Sequence, residues 1–229
     1  MIDIANNLAS INKQIREYEI TYHRKPESVF LLAASKGQSA DKLQQAIDAG
    51  QLAFGENYLQ EALEKQAILA NQPIEWHFIG TIQSNKTKKI AEHFNWVHSV
   101  SDKRICERLN NQRPANLPPL NVCLEVNVSN EPTKSGINLD EVMSLVEYCA
   151  SLPRLKLRGL MTIPIPSEDF NAQRAEFNKL SVLFAELNKK NYNLDTLSMG
   201  MSHDMQAAIA EGATIVRVGT AIFGSRFRL

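Results

Sequence analysis

The amino-acid sequence predicts an α/β protein: a single (β/α)8 barrel of the TIM type with an additional N-terminal helix, formed by residues 1–229 as one domain. Short apolar runs alternate with helical patterns, as they do in parallel β/α units. The alternation yields eight strands, and the 229 residues are close to the roughly 250 typical of such barrels. A doubly wound open sheet alternates in the same way, but no Gly-rich loop follows the first strand. The closed barrel is therefore the favoured fold.

The helices are predicted from apolar residues at spacings of three and four and from their starting residues. The first covers residues 2–20, and the second follows Ser39, a suitable N-cap. Ser84 is expected to cap the helix after the third strand. Asn138, with Glu141 three residues on, resembles a capping box before another helix. Further helical patterns cover residues 57–71, 102–110, 177–187 and 203–211.

The eight predicted strands are short runs rich in apolar residues. They cover residues 28–35, 52–55, 75–80, 96–99, 120–128, 155–161, 194–199 and 214–218. Only residues 113–119, with three prolines, look like a plain loop, and they merely join a helix to a strand. Nothing divides the chain into two domains.

The composition argues against several classes of protein. The 25 basic residues balance 25 acidic ones, whereas nucleic-acid binders and polybasic membrane-surface proteins need a positive field. No apolar run is long enough for a membrane span, and the N-terminus does not resemble a signal peptide. Three scattered cysteines suit free thiols in a reducing compartment. We expect a cytoplasmic monomer. We expect no metal site, because no histidine has partners at ligand spacing.

Functional residues of a barrel gather where strands end and the following loops begin. Lys36 follows the apolar first strand, where partial desolvation favours the neutral amine that Schiff-base chemistry needs; the alternative is a lysine that reaches out to the barrel rim. Barrels often bind phosphate between the loops after strands seven and eight. Ser202, Gly219 and Thr220 stand there, although the same residues also suit tight turns. An amine that faces a phosphate site suggests a phosphorylated aldehyde between the two.

Three further side chains are candidates for contact with the ring of such a ligand. Arg217 points inward, and a guanidinium beside a pyridine nitrogen would keep that nitrogen unprotonated; the alternative is a pair with a carboxylate such as Glu125. His77 can contact a ring or be a core histidine whose hydrogen bonds are satisfied there. Asn57 can bond a ring hydroxyl or simply begin a helix.

Eight motifs along the chain closely resemble one family, the pyridoxal 5'-phosphate (PLP) homeostasis proteins. Each motif alone is weak, but their common order makes the match specific. They are ASK at 34–36, FGENYLQE at 54–61, WHFIG at 76–80, QSNK at 83–86, EVNV with a later KSG within 125–136, GLMTI at 159–163, LSMGMSHD at 197–204 and VRVGTAIFGSR at 216–226.

The resemblance implies a fold-type III barrel, similar to the N-terminal domain of alanine racemase, with PLP as its cofactor. It assigns the cofactor lysine to Lys36, the phosphate-binding loops to Ser202, Gly219 and Thr220, the arginine near the pyridine nitrogen to Arg217, and an asparagine near the cofactor to Asn57. The sequence departs from the family at Gly37, where many members have threonine. We expect this glycine to loosen the backbone beside the lysine.

Two functions fit these residues best. The first is a carrier that takes part in PLP homeostasis and supply without substantial turnover: it holds the cofactor as an internal aldimine and releases it to amino acids or, in transient contact, to PLP-dependent apoenzymes. The second is an amino-acid racemase of fold type III. In alanine racemase a C-terminal domain supplies the second acid–base group; because this sequence stops at Leu229, the carrier is preferred, with vestigial racemase activity still compatible. A Schiff-base aldolase without cofactor is a third alternative.

Overall fold

The computed structural model describes residues 2–131 and 134–224, which form a closed barrel of eight parallel strands. The strands are β1 (Phe30–Ala34), β2 (Ala53–Glu56), β3 (Glu75–Phe78), β4 (Trp96–Val100), β5 (Leu120–Glu125), β6 (Leu155–Met161), β7 (Thr196–Ser198) and β8 (Ile215–Val218). Each pairs with the next along the chain, and β8 pairs with β1, so the predicted barrel is confirmed. Ser225 and Arg226, which end the last of the eight motifs, lie outside the described residues.

The helices lie between the strands, apart from one before the first strand and one after the last. They are α1 (Ile4–Thr21), α2 (Ala40–Asp48), α3 (Leu59–Ile68), α4 (Thr87–His93), α5 (Lys103–Gln112), α6 (Val142–Ala150), α7 (Phe170–Lys189), α8 (Met205–Ala210) and α9 (Thr220–Phe223). Ser39 is confirmed as the N-cap of α2, because its hydroxyl accepts from the Lys42 amide. Across the described ranges, none of the helices has the length and apolar character needed to cross a membrane.

The predicted cap at Ser84 is wrong. Ser84 begins a single 3-10 turn, Ser84–Lys86, that precedes α4. Its backbone carbonyl accepts from the Thr87 hydroxyl at 2.9 Å, whereas its own side chain caps neither the turn nor the helix. An N-cap residue lies outside the helical turn and has non-helical backbone angles, whereas Ser84 is already part of the 3-10 turn.

The predicted start of α6 at Asn138 is also wrong, because the helix begins at Val142. Residue Ile137 forms an isolated bridge with Val126, and its N–H donates to the Glu125 carbonyl at 2.9 Å. The chain before Asn138 is therefore held extended beside the end of β5 and can enter a helix only after a further turn.

Side chains of β8 show how the barrel separates two environments. Val216 and Val218 belong to the large apolar core between the sheet and the helices. Ile215 belongs to a separate apolar cluster, and Arg217, two residues further along the strand, is also buried. Because successive side chains of a strand point to opposite faces, Ile215 and Arg217 face the barrel interior.

Helix α1 joins the first and last units of the barrel. Its apolar face packs on α2, α8 and α9. The Asn7 side chain donates to the Ile222 carbonyl at 2.9 Å, and the Arg24 guanidinium, just after the helix, donates to the carbonyls of Ile209 and Ala213 at 2.9 and 3.0 Å. The helix thus covers the place where β8 meets β1.

Candidate functional site

A cavity of about 450 Å³ opens at the carboxyl ends of β1, β2 and β8, within the volume range of about 300–1,000 Å³ found for ligand pockets. Six of the seven predicted site residues line it: Lys36, Asn57, Ser202, Arg217, Gly219 and Thr220. A larger and more open cavity of about 760 Å³ lies at the opposite end, beside Phe30, Leu52 and Glu75. Barrel sites are built from the loops after the strands, so the first cavity is the candidate site.

The backbone on both sides of Lys36 is held by carboxylates. Lys36 itself is half-buried, two residues beyond the end of β1. The Ser35 hydroxyl donates to Glu56 Oε1 at 2.6 Å, and the Gly37 amide donates to Glu61 Oε1 at 2.6 Å. Gly37 has φ +69°, which a glycine adopts without steric cost. The hydrogen bond to Glu61 opposes the looser backbone that a glycine otherwise gives.

A buried lysine connects these two carboxylates. Lys65 Nζ lies 2.7 Å from Glu56 Oε1, 2.5 Å from Glu61 Oε1 and 2.7 Å from the Ser35 carbonyl oxygen. Burial raises the pKa of Glu56, and the Lys65 charge opposes that rise. We call Glu56, Glu61 and Lys65 the lysine clamp. The lysine clamp was not predicted from the sequence, although Glu61 and Lys65 stand four residues apart on α3, the spacing of helical ion pairs.

Asn57 offers the cavity an unused acceptor. Its Oδ1 atom is buried and has no hydrogen-bond partner among the described residues. Such an acceptor costs about 1–3 kcal/mol unless a donor reaches it. Gly80 lets this segment pack closely, because a Cβ atom at that position would lie 2.2 Å from the Asn57 carbonyl oxygen. The hydroxyl of a ligand could donate the missing hydrogen bond to Asn57 Oδ1.

The loops after β7 and β8 form the opposite wall of the cavity. Ser202 is exposed at the rim, and Thr220 begins α9, where first-turn amides have no acceptor within the helix. A Cβ atom at Gly219 would lie 2.8 Å from the Ala34 carbonyl oxygen, so a glycine brings this loop against the end of β1. Free amides and hydroxyls therefore stand near Lys36, as anion binding requires.

Arg217 places a buried positive charge at the cavity. Its Nη1 atom donates to the carbonyl and hydroxyl oxygens of Ser198 at 2.7 and 2.8 Å, and Nη2 donates to the Thr162 carbonyl at 3.0 Å. Burial lowers the pKa of Arg217 to about 10, and the charges of Asp204 and Glu125 oppose the shift. In the part of the chain that the structure describes, Arg217 forms no ion pair with Glu125. Its partners are neutral, so its charge remains available to a ligand.

His77, the seventh predicted site residue, lies outside this cavity, which corrects its assignment. Its ring is buried, with Nε2 2.8 Å from Glu75 Oε1 and Nδ1 2.9 Å from His98 Nε2. One ring face stacks on Trp96, with centroids 5.4 Å apart. Both ring nitrogens have partners within the protein, so neither is left to bond a ligand in the cavity. The alternative of a core histidine with satisfied hydrogen bonds describes it.

Protein ligands for a transition metal come from cysteine, histidine and carboxylate side chains. Cys106, Cys123 and Cys149 are buried free thiols. Over residues 2–131 and 134–224, no three His, Cys, Asp or Glu side chains are grouped so as to hold a metal ion.

Comparison with known proteins connects this geometry to a family. The model of the family described as "Alanine racemase, N-terminal domain" matches residues 4–227. The "Pyridoxal phosphate homeostasis protein" of Pseudomonas aeruginosa is 56% identical over 226 residues, covering 99% of this chain and 97% of that protein. The protein of the same name from Escherichia coli K12 is 50% identical over 229 residues, covering 99% and 98%.

Solved structures give the same result. PipY of Synechococcus elongatus, in a structure with PLP bound, superimposes with a TM-score of 0.85 at 37% identity, covering 96% of this chain and all of that one. Alanine racemase from Corynebacterium glutamicum superimposes with a TM-score of 0.69 at 16% identity, covering 99% of this chain and 62% of that one. The second likeness concerns the fold alone.

Proposed function

Since the chain belongs to the family of pyridoxal phosphate homeostasis proteins, within the alanine racemase N-terminal-domain fold, we propose that it binds PLP in this cavity and takes part in keeping and supplying the cofactor. The observation that carries the proposal is the convergence of one lysine, one buried guanidinium and the loops after β7 and β8 on a single cavity. PLP bears an aldehyde, a phosphate and a pyridine ring, and each of them has a matching group there.

The residues present fit the cofactor. Lys36 provides the primary amine, and PLP when bound supplies an aldehyde that such an amine captures reversibly. Ser202, Thr220 and the amides beside Gly219 would hold the phosphate. The unpartnered Asn57 acceptor suits a ring hydroxyl. Arg217, which keeps its proton at neutral pH, would stand beside the ring nitrogen and leave it unprotonated.

The phosphate assignment predicts a specific loss. Replacing Ser202 with alanine and Thr220 with valine together should weaken PLP affinity at least about tenfold, because hydrogen bonds to a charged group contribute about 1.5–3 kcal/mol. Fluorescence titration would measure the affinity, and circular dichroism would check the fold. As a control, Ser151→Ala with Thr21→Val removes two exposed hydroxyls from helix ends elsewhere. If both double variants bind PLP as the wild type does, the phosphate is held elsewhere.

A carrier without turnover is the function that we propose over an enzyme. The name that its relatives share supports it. The cavity also supports it: Ser202, His203 and Thr220 are exposed at its rim, as a cofactor that must leave requires. One observation favours the racemase alternative, since His203 lines the cavity and a second acid–base group is what racemisation needs.

An amino-acid assay separates the two functions. PLP-loaded protein incubated with a panel of L-amino acids should give no sustained appearance of D-isomers by chiral chromatography, because His203 is an exposed rim residue rather than a buried, positioned base. Alanine racemase serves as the positive control. Steady production of a D-isomer that is lost in His203→Asn would establish the racemase in place of the carrier.

We further propose, in line with the sequence expectations, that the protein is cytoplasmic and works as a single-domain monomer in transient contact with PLP-dependent apoenzymes and amino acids. The balanced charge of 25 basic and 25 acidic residues supports a protein without nucleic-acid or membrane partners. Sedimentation at several concentrations tests the monomer, and PLP transfer to an apoenzyme with and without a dialysis membrane tests the contact.

A further inference from the structure

A line of hydrogen-bonded side chains crosses the barrel interior from one cavity to the other. Arg217 Nη1 lies 2.8 Å from Ser198 Oγ, and that oxygen lies 2.7 Å from His98 Nδ1. His98 Nε2 lies 2.9 Å from His77 Nδ1, and His77 Nε2 lies 2.8 Å from Glu75 Oε1. We call these five residues the polar chain. Arg217 borders the candidate site, and Glu75 borders the cavity at the opposite end.

With both rings neutral, the carboxylate of Glu75 sets the direction of the hydrogen bonds in the polar chain. A guanidinium only donates and a carboxylate only accepts. His77 must therefore carry its hydrogen on Nε2, which faces Glu75, and must accept at Nδ1. His98 then donates from Nε2 and accepts at Nδ1, which leaves the Ser198 hydrogen for that nitrogen. The Ser198 lone pairs consequently face the arginine.

Neutral rings are the condition for this arrangement. Burial lowers the pKa of His77, and burial together with the charge of Arg217 lowers the pKa of His98. With the hydrogens placed in this way, a second hydrogen on either ring would set two donors face to face unless a neighbouring group changed its own hydrogen position. Charged groups around the chain are Arg217 and Glu75 at its ends, Asp204 and Glu125 beside Arg217, and Arg158 over the outer face of Trp96.

We propose that Ser198, His98, His77 and Glu75 are positioning residues that fix how the Arg217 guanidinium is presented to the cofactor ring. The inference rests on the proposed function, because Arg217 is assigned to the ring there. While the Ser198 hydrogen is committed to His98, only lone pairs meet Nη1, and the guanidinium has one favoured orientation. Without that commitment the hydroxyl can rotate, and the arginine loses one of its three acceptors. A hydrogen-bond chain of uniform direction is also strengthened by mutual polarisation.

Nitrogen NMR of the protein without cofactor tests the direction of the chain. We expect both His77 and His98 to be neutral, with the hydrogen on Nε2, from about pH 6 to about 8. His98 with its hydrogen on Nδ1, or either ring charged over that range, would overturn the inference. This measurement does not depend on PLP, so it separates failure of the inference from failure of the proposed function.

A hydroxyl deletion tests the effect on the cofactor. Ser198→Ala should weaken PLP affinity about tenfold and shift the visible absorption of the bound cofactor, because the ring then meets a differently held guanidinium. The matched control is Thr87→Val: that hydroxyl is also buried, donates once to the Ser84 carbonyl and accepts once from an arginine, Arg108. The control should leave the affinity and the spectrum unchanged. Equal spectra for the two variants would overturn the positioning role.

Glu75 gives a second test far along the chain. Glu75→Leu removes the terminal acceptor and should reproduce part of the spectral shift, whereas Glu75→Gln keeps an oxygen for His77 and should restore the wild-type spectrum. A structural role alone would change stability without this pattern of loss and rescue. If Glu75→Leu leaves the spectrum and the histidine tautomers unchanged, Glu75 has no positioning role in the polar chain and the inference is wrong for this residue. A wild-type protein that fails to bind PLP would instead refute the proposed function and leave the NMR result standing.

Discussion

Replacing Lys36 with alanine is expected to abolish covalent capture of PLP. The loaded wild-type protein should show a visible absorption band and, after borohydride reduction, a labelled peptide that contains Lys36. The variant should show neither, because no other amine is assigned to the site. Peptide mapping by mass spectrometry is the measurement. Ring and phosphate contacts should remain, so weak non-covalent binding is expected to persist.

Two controls define what the loss means. Lys36→Arg keeps a cation but offers no amine for capture, so it should lose the band as the alanine variant does. Lys86→Ala removes an exposed lysine that does not line the cavity and should retain the band. A reduced label on another lysine would refute the assignment of Lys36. A wild-type protein that stays colourless with PLP would favour the aldolase alternative.

Replacing Lys65 with methionine should lower the free energy of unfolding by about 3–5 kcal/mol, the usual cost of leaving a buried charge without its partner. Lys65 is 4% exposed and contacts both carboxylates of the lysine clamp. Its loss leaves Glu56 buried without a counter-charge. Urea unfolding followed by circular dichroism measures the effect. Because the clamp holds the residues beside Lys36, capture of PLP should also slow.

The loss in Lys65→Met should increase with pH. Burial raises the pKa of Glu56 in the folded protein above its unfolded value, so between these values the folded state binds more protons and stability falls as pH rises. Without Lys65 this effect should grow. Adding Glu56→Gln should recover part of the loss, whereas Lys88→Met, at an exposed ion pair, should change stability by less than about 0.5 kcal/mol. A loss that is equal at low and high pH would contradict this account.

The architecture was predictable because it depends on patterns within single segments. The apolar runs of the strands, the spacing of apolar residues in the helices and the Ser39 cap are all local features. Eight strands that alternate with helices favour one closed sheet. The two wrong helix starts have a different origin. At Asn138 a capping residue is present, but pairing of Ile137 with Val126 keeps the chain extended before it. A tertiary contact of this kind has no local signature.

The same limit applies to the site. Lys36 and the two loops were predictable because each follows a strand in a barrel, and Arg217 was predictable because it lies on a strand at a position that points inward. The lysine clamp and the polar chain join residues distant in sequence, such as His98 and Ser198, which are 100 positions apart. His98 was set aside because no metal-ligand spacing surrounds it, and Lys65 has the appearance of a solvent-exposed helix position. Only the folded barrel brings their partners to them.

The pairing of β1 with β8 has a consequence during synthesis on the ribosome. β1 is made before its neighbour β8, and six further strands are made between the two. Until then β1 keeps an unpaired edge and α1 has no α8 or α9 to cover, a state prone to aggregation. A nascent chain therefore cannot assemble the walls of the cavity around Lys36 until β8 and the residues directly after it have been made.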